Sequence, residues 1–189
     1  MSDGTVLAWH FTGRKLRDGS QIPAQGEWLV HDGRVKMCSS GLHASRKVID
    51  ALAYAPEQTL HRVRLRGIAD EEDDKLVANE RKIIWTIDGD TMDGILREFS
   101  RWCALQVIHL WDAPDVVVQY LKTGDESIRD AARDAAWAAA RAAARAAAWD
   151  AAWDVAWASA SDAAWASALD KSNRRLTSMV MAEKKRLGL

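Results

Sequence analysis

Five histidines, two cysteines and a pair of adjacent serines are the residues of this chain whose types could do chemistry. Cys38 and His43 stand in a C-x4-H spacing, with His10, His31 and His61 further away. Zinc asks for about four such ligands, usually as two close pairs. No second pair follows, so no metal site is expected. The run Cys-Ser-Ser-Gly-Leu-His-Ala-Ser over 38–45 joins an expected strand to an expected helix. Such a junction offers backbone N–H groups to an anion, although a capped turn is the plainer reading. Arg62, Arg64 and Arg66 alternate along one strand and could meet an anionic surface, as could Lys171, Arg174 and Arg175 near the end. Lys184, Lys185 and Arg186 fall just before Gly188, where cations complement a helix dipole and need no ligand. No G-x-S-x-G, H-E-x-x-H, phosphate-binding loop or dinucleotide fingerprint occurs, and no carboxylate pair suited to glycoside chemistry stands out.

One arrangement is enzyme-like. His10 ends an early strand, and Ser39 and Ser40 end a later one. A helix with Ala53-Tyr54 follows, then a strand ending in Arg66-Gly67, then Glu80. This order resembles that of the ADP-ribosyltransferase fold. The resemblance implies that His10 and a serine hold a nicotinamide nucleotide while the late glutamate stabilises a cation-like transition state, with NAD bound between the sheet halves. The chain departs from that pattern where Phe-Thr follows His10, since such enzymes often carry Gly-Thr there. Apart from this alternative no cofactor is expected, and the reading favours a protein that is not an enzyme.

The elements that would position these residues fall into two regions. Residues 1–122 have mixed composition and contain all three prolines. VLAWHFT reads as a strand, EWLVHDGRVKMC as a hairpin turning at His31-Asp32-Gly33, and SRKVIDALAYA as a helix capped by Ser45 and stopped by Pro56. TLHRVRLRGIAD alternates, with Leu60, Val63 and Leu65 on the apolar face and His61 and the arginines opposite. Asp70 to Asp74 read as an acidic loop, and a strand is expected around Ile83–Ile87. The spacing of Ile95, Phe99, Trp102, Leu105 and Ile108 predicts a long helix, and Pro114 starts another. The sum is an α+β head: a small, mainly antiparallel sheet with two or three helices.

Residues 123–170 are different. Alanine, the best helix former, fills 22 of positions 131–168, and Thr123-Gly-Asp-Glu126 has the form of a capping box. The spacing predicts a helix from 125 to 170, roughly 70 Å long. Trp137, Trp149, Trp153, Trp157 and Trp165 share the phase of a four-residue repeat. Each repeat drifts about 40° around a helix with 3.6 residues per turn, so the indoles spiral and do not form one stripe. Each indole can bury on the order of 150–250 Å², and five left in water would be an aggregation hazard. They are expected to meet protein: a partner, another copy, or another part of the chain. Residues 171–189, six basic against one acidic, read as a short basic C-terminal helix. Nucleic-acid binding through that tail is a further alternative, although a net charge of −1 gives it no global support. The arginines and aspartates of the alanine track are costly in lipid, so no membrane role is expected. Two cysteines and no apolar leader fit a reducing cytosol.

The run GRVKMCSSGLHASRKVIDALAYAPEQTLHRVRLRG, with KLVANERKIIWTID after it, resembles an uncharacterised domain family of phages and prophage-bearing bacteria over roughly residues 5–88. Lys36, Cys38, Gly41, His43 and Ala44 carry the likeness, with Met37 and Leu42 as departures. The resemblance implies no activity. It implies a context: a phage or mobile-element protein in the bacterial host cytoplasm, or one associated with the virion. The expected function is therefore non-enzymatic, acting through protein–protein contacts with a host factor or defence complex, or in a minor structural role, with the alanine/tryptophan helix as the interaction element.

Overall fold

The computed structural model describes residues 4–150 and 161–189, with 143–150 and 161–165 as backbone course alone. The protein is α+β. Five antiparallel strands come first: β1 Val6–Thr12, β2 Trp28–Val30, β3 Leu42–Ala44, β4 Thr59–Glu71 and β5 Leu76–Ile87. A short helix, α1 Val48–Ala53, interrupts them. The helices α2 Gly89–Val107, α3 Asp115–Thr123, α4 Arg129–Asp150 and α5 Ser161–Leu187 follow. The chain groups into two compact units, one of residues 1–95 with 171–189 and the other of residues 96–170.

The first unit is built on the β4–β5 hairpin, whose long strands take in Asp70 and Glu71 and leave a turn closed by Glu72 N–H donating to Lys75 O at 2.8 Å. β1 pairs with β4 on one side, and both β2 and β3 pair with β5 on the other. β3 then reaches back to β1: Trp9 and Ser45 exchange two backbone hydrogen bonds of 2.7 and 2.9 Å. The ladder β1–β4–β5–β3 thus closes on itself through this bridge, while β2 pairs with β5 alone. Ala8, Ala44, Val63, Leu65, Leu76, Ala78 and Ile83 fill the interior.

A bulge lets β5 serve two faces. Leu60, His61 and Arg62 pair with Ile87, Thr86 and Trp85, but Val63 pairs with Ile83. Ile84 is therefore an extra residue on β5. Ile87, Trp85, Ile83 and Arg81 are all buried. The first two lie on the outer face beside Leu60 and Arg62, the last two on the inner face beside Val63 and Leu65. The expected division of β4 is also corrected. His61 is inside with Val63 and Leu65, and Leu60 is on the outer face with the three arginines.

The outer face is covered by α1 and by the C-terminal part of α5. Leu176 and Val180 are fully buried at one-turn spacing. On the same stripe Asn173 Oδ1 accepts from Ile49 N–H of α1 at 3.4 Å, and Lys184 Nζ lies 5.8 Å from the Trp85 ring. The basic C-terminal residues thus lie on a helix whose apolar stripe completes the head.

Other local expectations are corrected. The segment 28–37 is not a hairpin: β2 pairs with β5, in register Trp28 with Lys82, and residues 35–37 form no strand. Ser45 does not cap α1, because its backbone is engaged with Trp9; Lys47 occupies the cap position. The Thr123 capping box gives way to a helix end. Gly124, at φ 67°, closes α3, and Asp125 accepts from Ser127 N–H at 2.9 Å to start the next turn. Arg129 pairs with Glu126 at 3.3 Å.

In the second unit α3 packs on α4, and Val117 and Ala132 are buried. Phe99 and Trp102 of α2 stack at 5.9 Å. Trp137, on α4, is 61% exposed.

Candidate functional site

The inner face is apolar over most of its area and polar at one end. β1 brings His10 and Thr12 there, β4 brings His61 and β5 brings Thr86; Arg81 leaves β5 opposite Leu65, four residues along β4 from His61, and its charge acts on both His10 and His61. His10 is the cross-strand partner of His61, and His61 that of Thr86. His43 of β3 joins through its backbone, whose carbonyl accepts from Arg81 Nη1 at 2.6 Å. Thr12, His61 and Arg81 are buried, and His10 retains partial exposure, so the cluster reaches solvent on the His10 side.

His61 uses both ring nitrogens. Nε2 lies 2.8 Å from Thr12 Oγ1, and Nδ1 lies 2.8 Å from Thr86 Oγ1. Burial, and then the nearby Arg81 charge, pull its pKa down to about 4, which keeps it neutral at pH 7. His10 is held well below the usual histidine range, first by burial and then by Arg81, His61 and His43. His43 is also lowered by burial; its Nε2 accepts from Cys38 N–H at 3.1 Å, so Nδ1 carries the ring proton. Burial alone draws Arg81 down to about 10, leaving it a cation at neutral pH. The site is thus one buried guanidinium among three neutral imidazoles. It can bind and orient an electron-rich group.

The turn before β3 is fixed by its own residues. Ser39 N–H and Ser40 N–H both donate to Lys36 O, and Ser40 Oγ donates to Arg34 O at 2.7 Å. Cys38 sits at φ 59° and Gly41 at φ 108°. A side chain at 41 would meet Val35 Cγ1 at 2.7 Å and Val77 Cγ2 at 2.8 Å, which gives that position a steric reason to be glycine.

Of the residues grouped by sequence order as NAD-handling, His10 lies inside the ring. Glu80 leaves the opposite face, accepting from Arg66 Nε at 2.7 Å. The structure does not bring these two together, and Ser39 and Ser40 serve the turn. Arg62, Arg64 and Arg66 do share the outer face, and Arg62 and Arg66 pack on indoles. Arg62 lies 4.3 Å over Trp9 and Arg66 4.2 Å over Trp28, with Lys82 on the same ring at 4.7 Å. Arg62 Nη1 and Arg64 Nε are buried without a hydrogen bond. Lys171, Arg174 and Arg175 belong to α5 and each engages a neighbour. Trp137 is on α4; Trp149 and Trp165 lie on α4 and α5 with side chains outside the described residues, and Trp153 and Trp157 lie outside them altogether. Among the described residues no group of three or more His, Cys, Asp or Glu is placed to hold a metal, and no helix is long and apolar enough to cross a membrane.

Arg81 escaped the sequence reading because Glu80-Arg81-Lys82 looks like a solvated charge run. Alternation with Ile83, Trp85 and Ile87 marks Arg81 for burial but, because of the Ile84 bulge, on the wrong face.

The strand ring, its polar end and the Lys36–Ala44 turn all fall within one recognisable stretch. A DUF7666 domain, a domain of unknown function, spans residues 6–95. No curated protein and no solved structure matches the chain. The DUF7666 domain ends at Ile95, the residue that also closes the N-terminal part of the first compact unit. Residues 171–189 lie beyond the match, yet they supply Leu176 and Val180 to the same unit.

Proposed function

We propose that this protein acts without catalysis, as a DUF7666 head carrying an alanine/tryptophan helical arm that makes protein–protein contacts. The observation that carries the reading is Trp137, an indole 61% exposed on a helix whose neighbouring residues are mostly alanine and charge. Large exposed aromatics on a surface of small side chains are what a close-packed helix interface uses, with indoles as knobs and alanines letting backbones approach. Such a surface is complementary to itself, so a second copy of the chain is the first partner to test. The inner site is consistent with binding rather than turnover, because His61 has both nitrogens engaged and Ser39 and Ser40 are used in the turn.

The likeness of Lys36, Cys38, Gly41, His43 and Ala44 to a phage and prophage pattern supports a setting in the bacterial cytoplasm or virion. There the arm would grip a host factor or defence complex, or hold a minor structural position. The test is solution mass by light scattering, for the full chain and for a variant with all five arm tryptophans changed to alanine. An oligomer that becomes a folded monomer in the variant supports the reading. A full-length monomer with solvent-like tryptophan emission contradicts it.

A further inference from the structure

The polar end of the strand ring holds a charge without its counter-charge. Arg81 is 6% exposed, and its hydrogen bond among the described residues runs from Nη1 to a backbone carbonyl, that of His43. A guanidinium offers five N–H donors in a planar fork, and one carbonyl answers one of them. A buried cation is costly unless paired, and here every titratable neighbour is a base: His10, His61 and His43, with Arg17 and Lys75 acting on His43 from further out. The acid adjacent in sequence, Glu80, is turned to the other face and held by Arg66. The fold keeps carboxylates away from Arg81 and sets imidazoles around it.

His10 is the second half of the argument. Its imidazole has no hydrogen-bond partner among the described side chains, although its cross-strand neighbour His61 has two. It is also the member of the cluster that keeps partial exposure. A group entering past His10 would find an N–H donor at the mouth and a guanidinium fork behind it. That combination fits a small oxyanion, which arginine receives through two parallel N–H···O bonds.

We propose that Arg81 and His10 form a binding site for the oxyanion of a ligand, a phosphate or carboxylate group, at the polar end of the DUF7666 strand ring. The proposal is independent of the helical arm. No bond is made or broken: the ligand supplies the missing negative charge, and the neutral imidazole donates to it.

The test uses the full chain, with the His10 imidazole followed by NMR during titration with inorganic phosphate. Acetate forms a second arm and sodium chloride at matched ionic strength a third. The expected result is a saturable shift of the His10 signals with phosphate or acetate and none with chloride, and the stronger of the two anions identifies the source. Bound anion should raise the titration midpoint of His10 by about one pH unit, a change that a purely structural Arg81 would not produce. Affinity should fall about tenfold or more in Arg81→Lys, which keeps a cation but loses the fork, and about tenfold in His10→Gln. His10→Gln, at the partly exposed position, decides the matter if Arg81→Lys does not fold. The proposal is overturned if neither anion gives a saturable shift, if chloride gives the same one, or if folded variants bind as tightly as the parent.

Discussion

His61 is clamped between threonines of the two flanking strands, with Nε2 2.8 Å from Thr12 Oγ1 and Nδ1 2.8 Å from Thr86 Oγ1. Burial and the Arg81 charge hold this imidazole neutral, and this links stability to pH. Folded His61 titrates at about 4, against 6.5 for an unperturbed histidine. Above pH 6.5 both states are neutral and the full stability is present. As pH falls below that value the unfolded chain takes up a proton that the folded chain refuses. Stability is then lost down to about pH 4, by on the order of 3 kcal/mol from this group. His10 and His43, also lowered, act in the same direction. Urea unfolding between pH 7 and pH 4 should show this slope, and a folded His61→Asn variant should show a shallower one. Equal slopes would remove His61 from the explanation.

The C-terminal segment should prove part of the head. Leu176 and Val180 are fully buried in the unit that contains the DUF7666 domain. Leu176→Ala should cost about 2–5 kcal/mol in chemical unfolding, by lost transfer energy and a residual cavity. Deleting residues 171–189 should leave a head that loses its near-ultraviolet circular dichroism. A truncated chain with native spectra and an unchanged unfolding midpoint would show that the segment is dispensable.

Gly41 should not tolerate a side chain. At φ 108°, with Val35 and Val77 methyls inside 3 Å of an added Cβ, Gly41→Ala is strained both sterically and in its backbone. Destabilisation of about 1–3 kcal/mol or more is expected from the backbone term alone. Gly94→Ala is the control, because nothing lies within 4 Å of that position and it sits inside α2. It should be neutral or stabilising by about 0.4–1 kcal/mol. Equal effects of the two changes would refute the steric account.

Arg46 and Glu71 form a bidentate ion pair whose side chains are 53% and 38% exposed. Solvent and salt screen such a pair, so Arg46→Ala should cost less than about 1 kcal/mol, and the loss should shrink in high salt. A much larger, salt-independent loss would point to a packing role for the arginine stem.

Much of the fold was legible because it depends on local periodicity. β1 runs from Val6 to Thr12, the stretch VLAWHFT expected as a strand, α2 follows the apolar spacing of Ile95 and Phe99, and Pro114 stands at the start of α3. What escaped was set by contacts distant in sequence. Nothing near Trp28 announces that β2 pairs with Lys82 and its neighbours on β5. Nothing near Leu176 announces that a basic tail buries an apolar stripe on the head. The Ile84 bulge is the deepest cause. By adding one residue to β5 it moves Arg81 to the inner face while Trp85 stays outside, so simple alternation along β5 puts Arg81 on the wrong face. Of the site, His10 was picked out for its place at a strand end, His61 was assigned to the solvent side, and Arg81 was hidden in a charged triplet.

The measurement that bears most directly on the function proposed for this chain is the solution mass of the full-length protein and of the variant carrying Trp137→Ala, Trp149→Ala, Trp153→Ala, Trp157→Ala and Trp165→Ala. It should be made across a wide concentration range, with circular dichroism to confirm folding. The expected result is a dimer or larger assembly with blue-shifted tryptophan emission for the parent, and a folded monomer for the variant. A parent that stays monomeric with solvent-like emission, or a variant with the parent's mass, would contradict the assignment of the alanine/tryptophan helix as an interaction arm.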